Sequence, residues 1–532
     1  MGTLWHGGTI YTMEGENKQV EAIYTAGNKI EAAGDEKAIR AAYGDTIDEE
    51  IYLKGKTVFP GFVDSHLHLI GHGEKLMRLD FSDMESHEAI KAALAGKIAE
   101  TAPGEWVIGE GWNENQLGEG WMFDRAVLDE MSAEHPIVLK RICRHAILAN
   151  SAALRLAGIE EETADPAGGI IGRREDGSLS GFLMDRAQDI VLFETIPPVS
   201  KEYLKKALSK AVQDCFTYGL TGGHSEDLSY YGAMQLPIDA YNEVLSEDMP
   251  FKAHLLIHHL VIDEFEQNRI EDQRFIEYGA MKIFADGALG GRTALLSEPY
   301  SDDPHVKGVA VHTQKELNEL IVKARSYNRE IAIHVIGDQA FEMALNAVEL
   351  HPPAIGKRDR FIHAQILRPD LIERLQNMPI ILDIQPRFTA SDFPWIIERL
   401  GEERVKTSFA WKTLIDRGIP CAGGSDAPIE PIDPLLGIHA AVTRKSIHTP
   451  EEPGYFMKEA LSTYEAIKLY TIGSAAAIHK EHERGKIQPG FDADFTILDC
   501  NPFTMEDPDE LLKTKVAMTV AEGKVVYEKA DF

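Results

Sequence analysis

The chain has 532 residues, 44% of them hydrophobic, and 86 acidic against 54 basic side chains give a net charge of -32. That is enough apolar material for a large core, either about three domain-sized units or one barrel of about 250 residues with additions. So acidic a surface repels nucleic acid and anionic membranes, which excludes both as expected partners.

The first 57 residues read as short strands punctuated by Gly and Asn at hairpin spacing: "TLWHGGTIYTM", "VEAIYTAGNKIEAAG" and "TIDEEIYLKGKTVF". They carry no basic region followed by an apolar one, so no signal peptide is expected. From there the pattern changes. Short apolar runs recur, most of them followed by helical stretches such as "TQKELNELIVKARSYN" and "LIERLQNM". The runs are "TVFPGFVD" near 57–64, "GLTGGH" at 219–224, "FKAHLLIHH" at 251–259 and "AMKIFADG" at 280–287. Then come "EIAIHVIGD" at 330–338, "RFIHAQI" at 360–366, "PIILDIQP" at 379–386 and "IPCAGGSDAP" at 419–428. Eight strand–helix units predict an α/β fold built on a (β/α)8 TIM-like barrel. The gap between the first two runs is too long for a structureless loop and holds strands and helices of its own, so about 75–205 is expected as an inserted subdomain over the barrel mouth. The segment from 486, "GKIQPGFDADFTILDC" and "VAMTVAEGKVVYEK", is β-rich like the beginning. One small β-sandwich domain built from 1–57 and 486–532, around a barrel spanning 58–485, accounts for both.

Chemistry gathers at the ends of these strands, where barrels of this kind keep their active sites. Residues i and i+2 of a strand point the same way, so His66 and His68 of "PGFVDSHLHLIGHGE" both face the barrel axis. Alone, the pair is either a metal site or two polar residues ending a strand. His334 ends the fifth run, His363 the sixth and Asp426 the eighth, while Lys282 lies inside the fourth. Imidazoles and a carboxylate together suit zinc and similar divalent ions, one or two per chain, with manganese or iron able to use the same donors. Lys282 is costly as a buried ammonium. Either it pairs with Asp286 or another acid, or its amine adds carbon dioxide and becomes a bridging carbamate.

The motifs "PGFVDSHLHL", "MKIFADGALGGRTALLSEPYSD", "IHVIGDQA", "FIHAQ", "GGSDAPI" and "GKIQPGFDADFTILD" resemble those of the amidohydrolase superfamily, in amidohydrolase family 3, whose members include YtcJ-like and N-substituted formamide deformylase-like proteins. The resemblance covers essentially the whole chain. It implies a first metal on His66, His68 and Asp426, a second on His334 and His363, and Lys282 as a carbamylated bridge. It also implies hydrolysis of a non-peptide C–N bond, in an amide or N-substituted formamide, by a metal-bound hydroxide. Asp426 would then serve as base as well as ligand, shuttling a proton to the leaving nitrogen. Relatives often carry Asp-Gly-His where this chain has Cys143-Arg144-His145, so a particular substrate does not carry over.

Substrate-contact candidates are His224, Arg292, Gln385 and Arg387 near strand ends, and Trp112 and His145 in the insert. Three have a plainer alternative: a structural histidine for His224, a surface ion pair for Arg292, a core role for Trp112. His72 is expected to cap a helix or lie at the surface. Competing functions are hydrolytic deamination or ester cleavage with one metal, and a metal-free binding or assembly role, which would call for lost ligands. Cys143, Cys215, Cys421 and Cys500 are far apart with no CxxC pair, which fits a reducing cytoplasm. No apolar run reaches the roughly 18 residues of a membrane span. A small-molecule substrate is expected, and a homodimer is the commonest closed assembly.

Overall fold

The computed structural model describes residues 2–530 apart from 82–83, 85, 113–122, 142–145, 167, 193, 197–198, 394 and 447–450. Two compact units emerge, one from Met1–His72 with Lys201–Phe532 and one from Gly73–Ser200. Among the described residues, no helix is long and apolar enough to cross a membrane.

The larger unit contains eight parallel strands in sequential order. We label them β1 (Phe62–Leu67), β2 (Leu220–Ser225), β3 (Lys252–His258), β4 (Ile276–Phe284), β5 (Ile331–Val335), β6 (Asp359–His363), β7 (Ile380–Ile384) and β8 (Cys421–Gly423). All eight fall on the apolar runs of the sequence. Parallel neighbours need crossovers, and helices such as Gln314–Ser326 and Asp338–Leu350 supply them. Helix Gln314–Ser326 shows why these segments are helical. Thr313 and Glu316 form a capping box at its start, and Leu317, Ile321 and Ala324 recur at i, i+4 and i+7 to give it one buried face. The barrel closes between β8 and β1 by main-chain bonds just beyond the strand ends. Asp426 N–H donates to the His66 carbonyl (2.8 Å) and His68 N–H to the Ala427 carbonyl (2.7 Å). Gly424 permits this approach, since a Cβ there would stand 2.6 Å from the His66 nitrogen.

The first apolar run divides in two. Thr57–Pro60 belongs to a separate sheet, and only from Phe62 does the chain enter the barrel. Gly61 is the joint: its N–H donates to the Asp494 carbonyl (2.7 Å), and a Cβ on it would lie 2.4 Å from Thr221 Oγ1. That second sheet runs Lys524–Glu528, Val516–Ala521, Phe495–Leu498, Thr57–Pro60, Gly2–Tyr11, Gln19–Ala26 and Lys29–Gly34, with Glu49–Tyr52 paired beside Gly2–Tyr11. Trp5, Ile10, Ile23, Val58, Phe495, Ile497, Met518 and Val520 form its core. Both stretches of β-rich sequence thus make one sheet, held by the burial of their alternate apolar residues.

The unit Gly73–Ser200 has a six-stranded sheet in the order Gly169–Arg173, Leu179–Asp185, Ala146–Ala149, Ile137–Arg141, Val107–Trp112 and Leu79–Asp80. Strand Ile137–Arg141 is apolar on both faces. Ile137 and Leu139 pack with Phe81, Leu94 and Leu128, while Val138 packs with Ile147, Leu154 and Leu183. A sheet covered on both sides by apolar side chains has a core of its own.

Candidate metal centre

His66, His68 and Asp426 meet where the β8 loop folds onto the end of β1. The joint is braced from below by the buried carboxylate of Asp64, which accepts the main-chain N–H of His66 (3.0 Å) and of Ser425 (3.0 Å). Asp426 itself has φ of 59° and His363 has φ of 76°. Left-handed backbone is costly for residues with a Cβ, and it persists here because the surrounding hydrogen bonds over-determine it.

His66 Nε2 lies 3.5 Å and His68 Nε2 3.4 Å from Asp426 Oδ1. A tetrahedral ion with bonds of about 2.0–2.1 Å separates its ligand atoms by about 3.3–3.4 Å, so these spacings suit a shared divalent cation. Among the described residues, this is the group of three or more metal-binding side chains whose donor atoms lie within 4.8 Å of one another. Two further imidazoles adjoin it: the His363 ring is 5.6 Å from that of His66 and 4.5 Å from that of His334.

The far nitrogens of three rings are fixed by oxygen acceptors. His68 Nδ1–H donates to the Glu226 carbonyl (3.0 Å), His334 Nε2–H to the Gly287 carbonyl (3.2 Å) and His363 Nδ1–H to the Gln385 side-chain oxygen (2.8 Å). Each bond sets the tautomer and leaves the other nitrogen's lone pair free as a ligand. Burial pushes His66 and His334 well below the usual imidazole range and His363 down to about 4, with Lys282 adding to each effect. These rings are neutral donors. His68 behaves oppositely: burial disfavours its charge, but the Asp426 carboxylate, backed by Glu226, outweighs this and lifts it to about 9. Burial also disfavours the Asp426 anion, yet the His68 hydrogen bond and the charges of His68 and Lys282 hold it below the usual carboxylate range. In the absence of metal, a proton on His68 neutralises Asp426, and a divalent ion would take over that task.

Lys282 is fully buried on β4, with Nζ 3.3 Å from His66 Nε2 and 3.0 Å from Glu226 Oε2. Asp286 is not its partner. That carboxylate accepts main-chain N–H bonds from Leu295 (2.9 Å), Ile336 (3.0 Å) and Gly337 (2.8 Å), clamping the loops after β4 and β5. Glu226, just past β2, was missed in the sequence. It follows "GGHS" as one more acid in an acidic chain, and only the fold brings it to Lys282.

The substrate-contact candidates fare differently. His224 lies in the barrel core: its Nδ1 is 3.3 Å from the Arg360 guanidinium and its ring 5.3 Å from His254. Arg360 is itself held by Asp383 (2.8 Å) and the Ser65 carbonyl (2.6 Å), so His224 packs with a buried ion pair rather than facing the mouth. Gln385 stands behind His363: its side-chain oxygen accepts from His363 Nδ1 (2.8 Å) and its amide nitrogen donates to the Asp383 carbonyl (3.0 Å). Arg387 reaches Glu430 (3.0 Å) and ties the β7 and β8 loops together. Arg292 forks onto Asp302 (3.2 and 2.8 Å) at the surface, the plainer of its two readings. Trp112 is buried in the core of the inserted unit. His145 lies outside the described residues. His72 neither caps a helix nor lies at the surface: it is buried, with Nε2 2.7 Å from Asp214.

Residues 49–527 match the profile of an amidohydrolase family. The chain is 54% identical to YtcJ of Bacillus subtilis (strain 168), with 100% of both chains covered. It is 26% identical to the N-substituted formamide deformylase of Arthrobacter pascens, over 98% of this chain and 97% of that one. Among solved structures it resembles an uncharacterized metal-dependent hydrolase from Pyrococcus furiosus, at 29% identity and a TM-score of 0.78, with 95% of this chain and 100% of that chain covered.

Proposed function

The chain belongs to the amidohydrolase family, and from that premise we propose that it is a metal-dependent hydrolase acting on a small molecule at a carbon–nitrogen bond outside peptides, in an amide or N-substituted formamide. The observation that carries this reading is the triad of buried His66, half-buried His68 and buried Asp426, with ligand atoms spaced for one divalent ion. Zinc suits two imidazoles and a carboxylate best, with His334 and His363 as further donors. Such an ion supplies positive charge that polarises a substrate carbonyl and makes a water molecule more acidic.

The protein's own residues do the rest. Asp426 is held anionic and at the edge of the triad, where it takes the proton of the attacking water and returns it to the leaving nitrogen. His66, His334 and His363 are kept neutral by burial and cannot serve as the acid. The hydrogen bonds that His66, His363 and His68 donate to Asp64, Gln385 and the Glu226 carbonyl keep these residues in place before substrate arrives, so little reorganisation is needed. The intact donor set speaks against a metal-free binding role.

The test is a panel of N-substituted formamides, simple amides, esters and aminated heterocycles offered to metal-loaded protein, with amine, acid and ammonia release measured. Asp426→Asn should lower kcat by about 10^2–10^4-fold with an unchanged circular dichroism spectrum. Undiminished turnover in that variant would end the proposal, and ammonia release from heterocycles alone would replace it with deamination.

A further inference from the structure

Arg360 is fully buried inside the barrel, three residues before His363 on β6, and its guanidinium reaches three other strands. Its Nε–H donates to Asp383 on β7 (2.8 Å). Its Nη2–H donates to the Ser65 carbonyl on β1 (2.6 Å) and to His224 Nδ1 on β2 (3.3 Å). The Ser65 carbonyl stands where the ladder between β1 and β2 is interrupted. Gly223 faces Asp64 and Ser225 faces Leu67, so Ser65 and His66 together oppose the single residue His224. Such a bulge disrupts the ladder and re-aims side chains. The peptide unit that links Ser65 to His66 is gripped at both ends by side chains: Arg360 takes its carbonyl, and Asp64 takes its N–H (3.0 Å). Turning that plane would swing His66 Nε2 away from Asp426 Oδ1, 3.5 Å from it.

We propose that Arg360 is a positioning residue of the metal centre: its bond to the Ser65 carbonyl fixes the bulge in β1 and so aims His66 at the ion. The inference rests on the metal-dependent reading of the site. Stability alone does not account for the arginine, because a buried ion pair such as Arg360–Asp383 can often be replaced by apolar side chains without loss of stability. What an apolar side chain lacks is a donor for the carbonyl, and a buried carbonyl at an interrupted ladder must be satisfied from elsewhere. The direction of the arm matters as well. The strands that carry His363 and His66, β6 and β1, are not neighbours in the barrel, so no ladder bond couples them. Arg360 couples them across the interior.

Two variants isolate this role. Arg360→Met combined with Asp383→Leu removes both charges together, so neither is left buried alone, and it keeps the main-chain carbonyl that holds Gln385. Arg360→Lys keeps a charge opposite Asp383 but offers one nitrogen in place of a fork. Urea unfolding, Zn2+ affinity by chelator competition and the visible absorption of the Co2+-loaded protein would be measured for each. The double variant should unfold at or above the wild-type urea midpoint, bind Zn2+ about 10–100-fold more weakly and show shifted Co2+ bands. R360K should show the same weakening and shift. Wild-type affinity and Co2+ bands in either variant would overturn the inference and reduce Arg360 to packing. Failure of both variants to fold would also count against it, since a positioning role predicts that the fold survives. Weakened metal binding as expected, but no hydrolysis anywhere in the panel, would keep the inference and sink the proposed function. A wild-type chain that takes up no metal would overturn both.

Discussion

Lys252 offers the sharpest test of how the barrel floor is held to the terminal sheet. At the start of β3, its Nζ lies 2.6 Å from Asp494, 2.6 Å from Glu522 and 3.0 Å from Asp492, and its side chain is only 10% exposed. Breaking a buried ion pair from one side costs about 3–5 kcal/mol, because charges are left without compensation. Two of the acids keep other partners in a Lys252→Met variant: Asp492 retains Lys29 (2.7 Å) and Arg484 (3.2 Å), and Glu522 retains Arg274 (3.1 Å). Asp494 loses its cation outright, so the lower end, about 3 kcal/mol at pH 7, is expected. The sign with pH follows. Burial disfavours each charge, yet the cluster holds Lys252 above its ordinary value and Asp492 and Glu522 below theirs. The contribution of Asp492 and Glu522 is present above about pH 4.3 and fades as pH falls through their depressed values. The lysine's contribution is present below about pH 10.4 and fades as pH rises through its raised one. The deficit of K252M should therefore be largest between these limits and shrink toward either extreme, on the acid side because Asp494 can take a proton. Urea unfolding followed by far-ultraviolet circular dichroism measures it across pH. A deficit below about 1 kcal/mol, or one that grows steadily on acidification, would refute the reasoning.

Replacing Gln385 with Leu removes the acceptor for His363 Nδ1 and should weaken Zn2+ binding by about 10–100-fold, read by chelator competition; an unchanged Kd would show that the bond does not orient a ligand. Gly61→Ala places a Cβ 2.4 Å from Thr221 Oγ1 at the joint between sheet and barrel, and should cost about 1–3 kcal/mol in the same unfolding assay. Arg292→Ala should leave kcat and KM of any substrate found unchanged, because its fork is spent on Asp302 at the surface; a raised KM for a carboxylated substrate would restore it to the site.

The barrel was readable because parallel strands buried on both faces must be apolar runs, and each of the eight stood out between helical stretches. The convergence of His66, His68, His334, His363 and Asp426 was readable because they end such runs. What sequence could not show was depth and partnership. His224 points inward as strand alternation requires, but the stagger of the strands sets it beside Arg360, below the mouth. Gln385 follows its strand as a substrate contact would, and only the fold shows that its side-chain oxygen meets His363 Nδ1. The division at Gly61 was hidden because "TVFPGFV" is apolar throughout, whichever sheet each half joins. Glu226 was hidden because a carboxylate announces nothing until its partner is known, and Lys282 lies on another strand two places along the barrel.

The terminal sheet has a consequence for biosynthesis. Phe62 N–H is bonded to Thr496 Oγ1, 434 residues further along the chain, and Thr57–Pro60 pairs with Phe495–Leu498. At roughly 5–20 residues per second, a ribosome needs roughly 20–90 s to deliver the second half of that pairing. Throughout that interval the nascent chain carries an open apolar strand edge, the kind of edge that invites association with other chains. Yield from fast overexpression should therefore respond to slower translation or added trigger-type chaperones more than to changes in the metal supply.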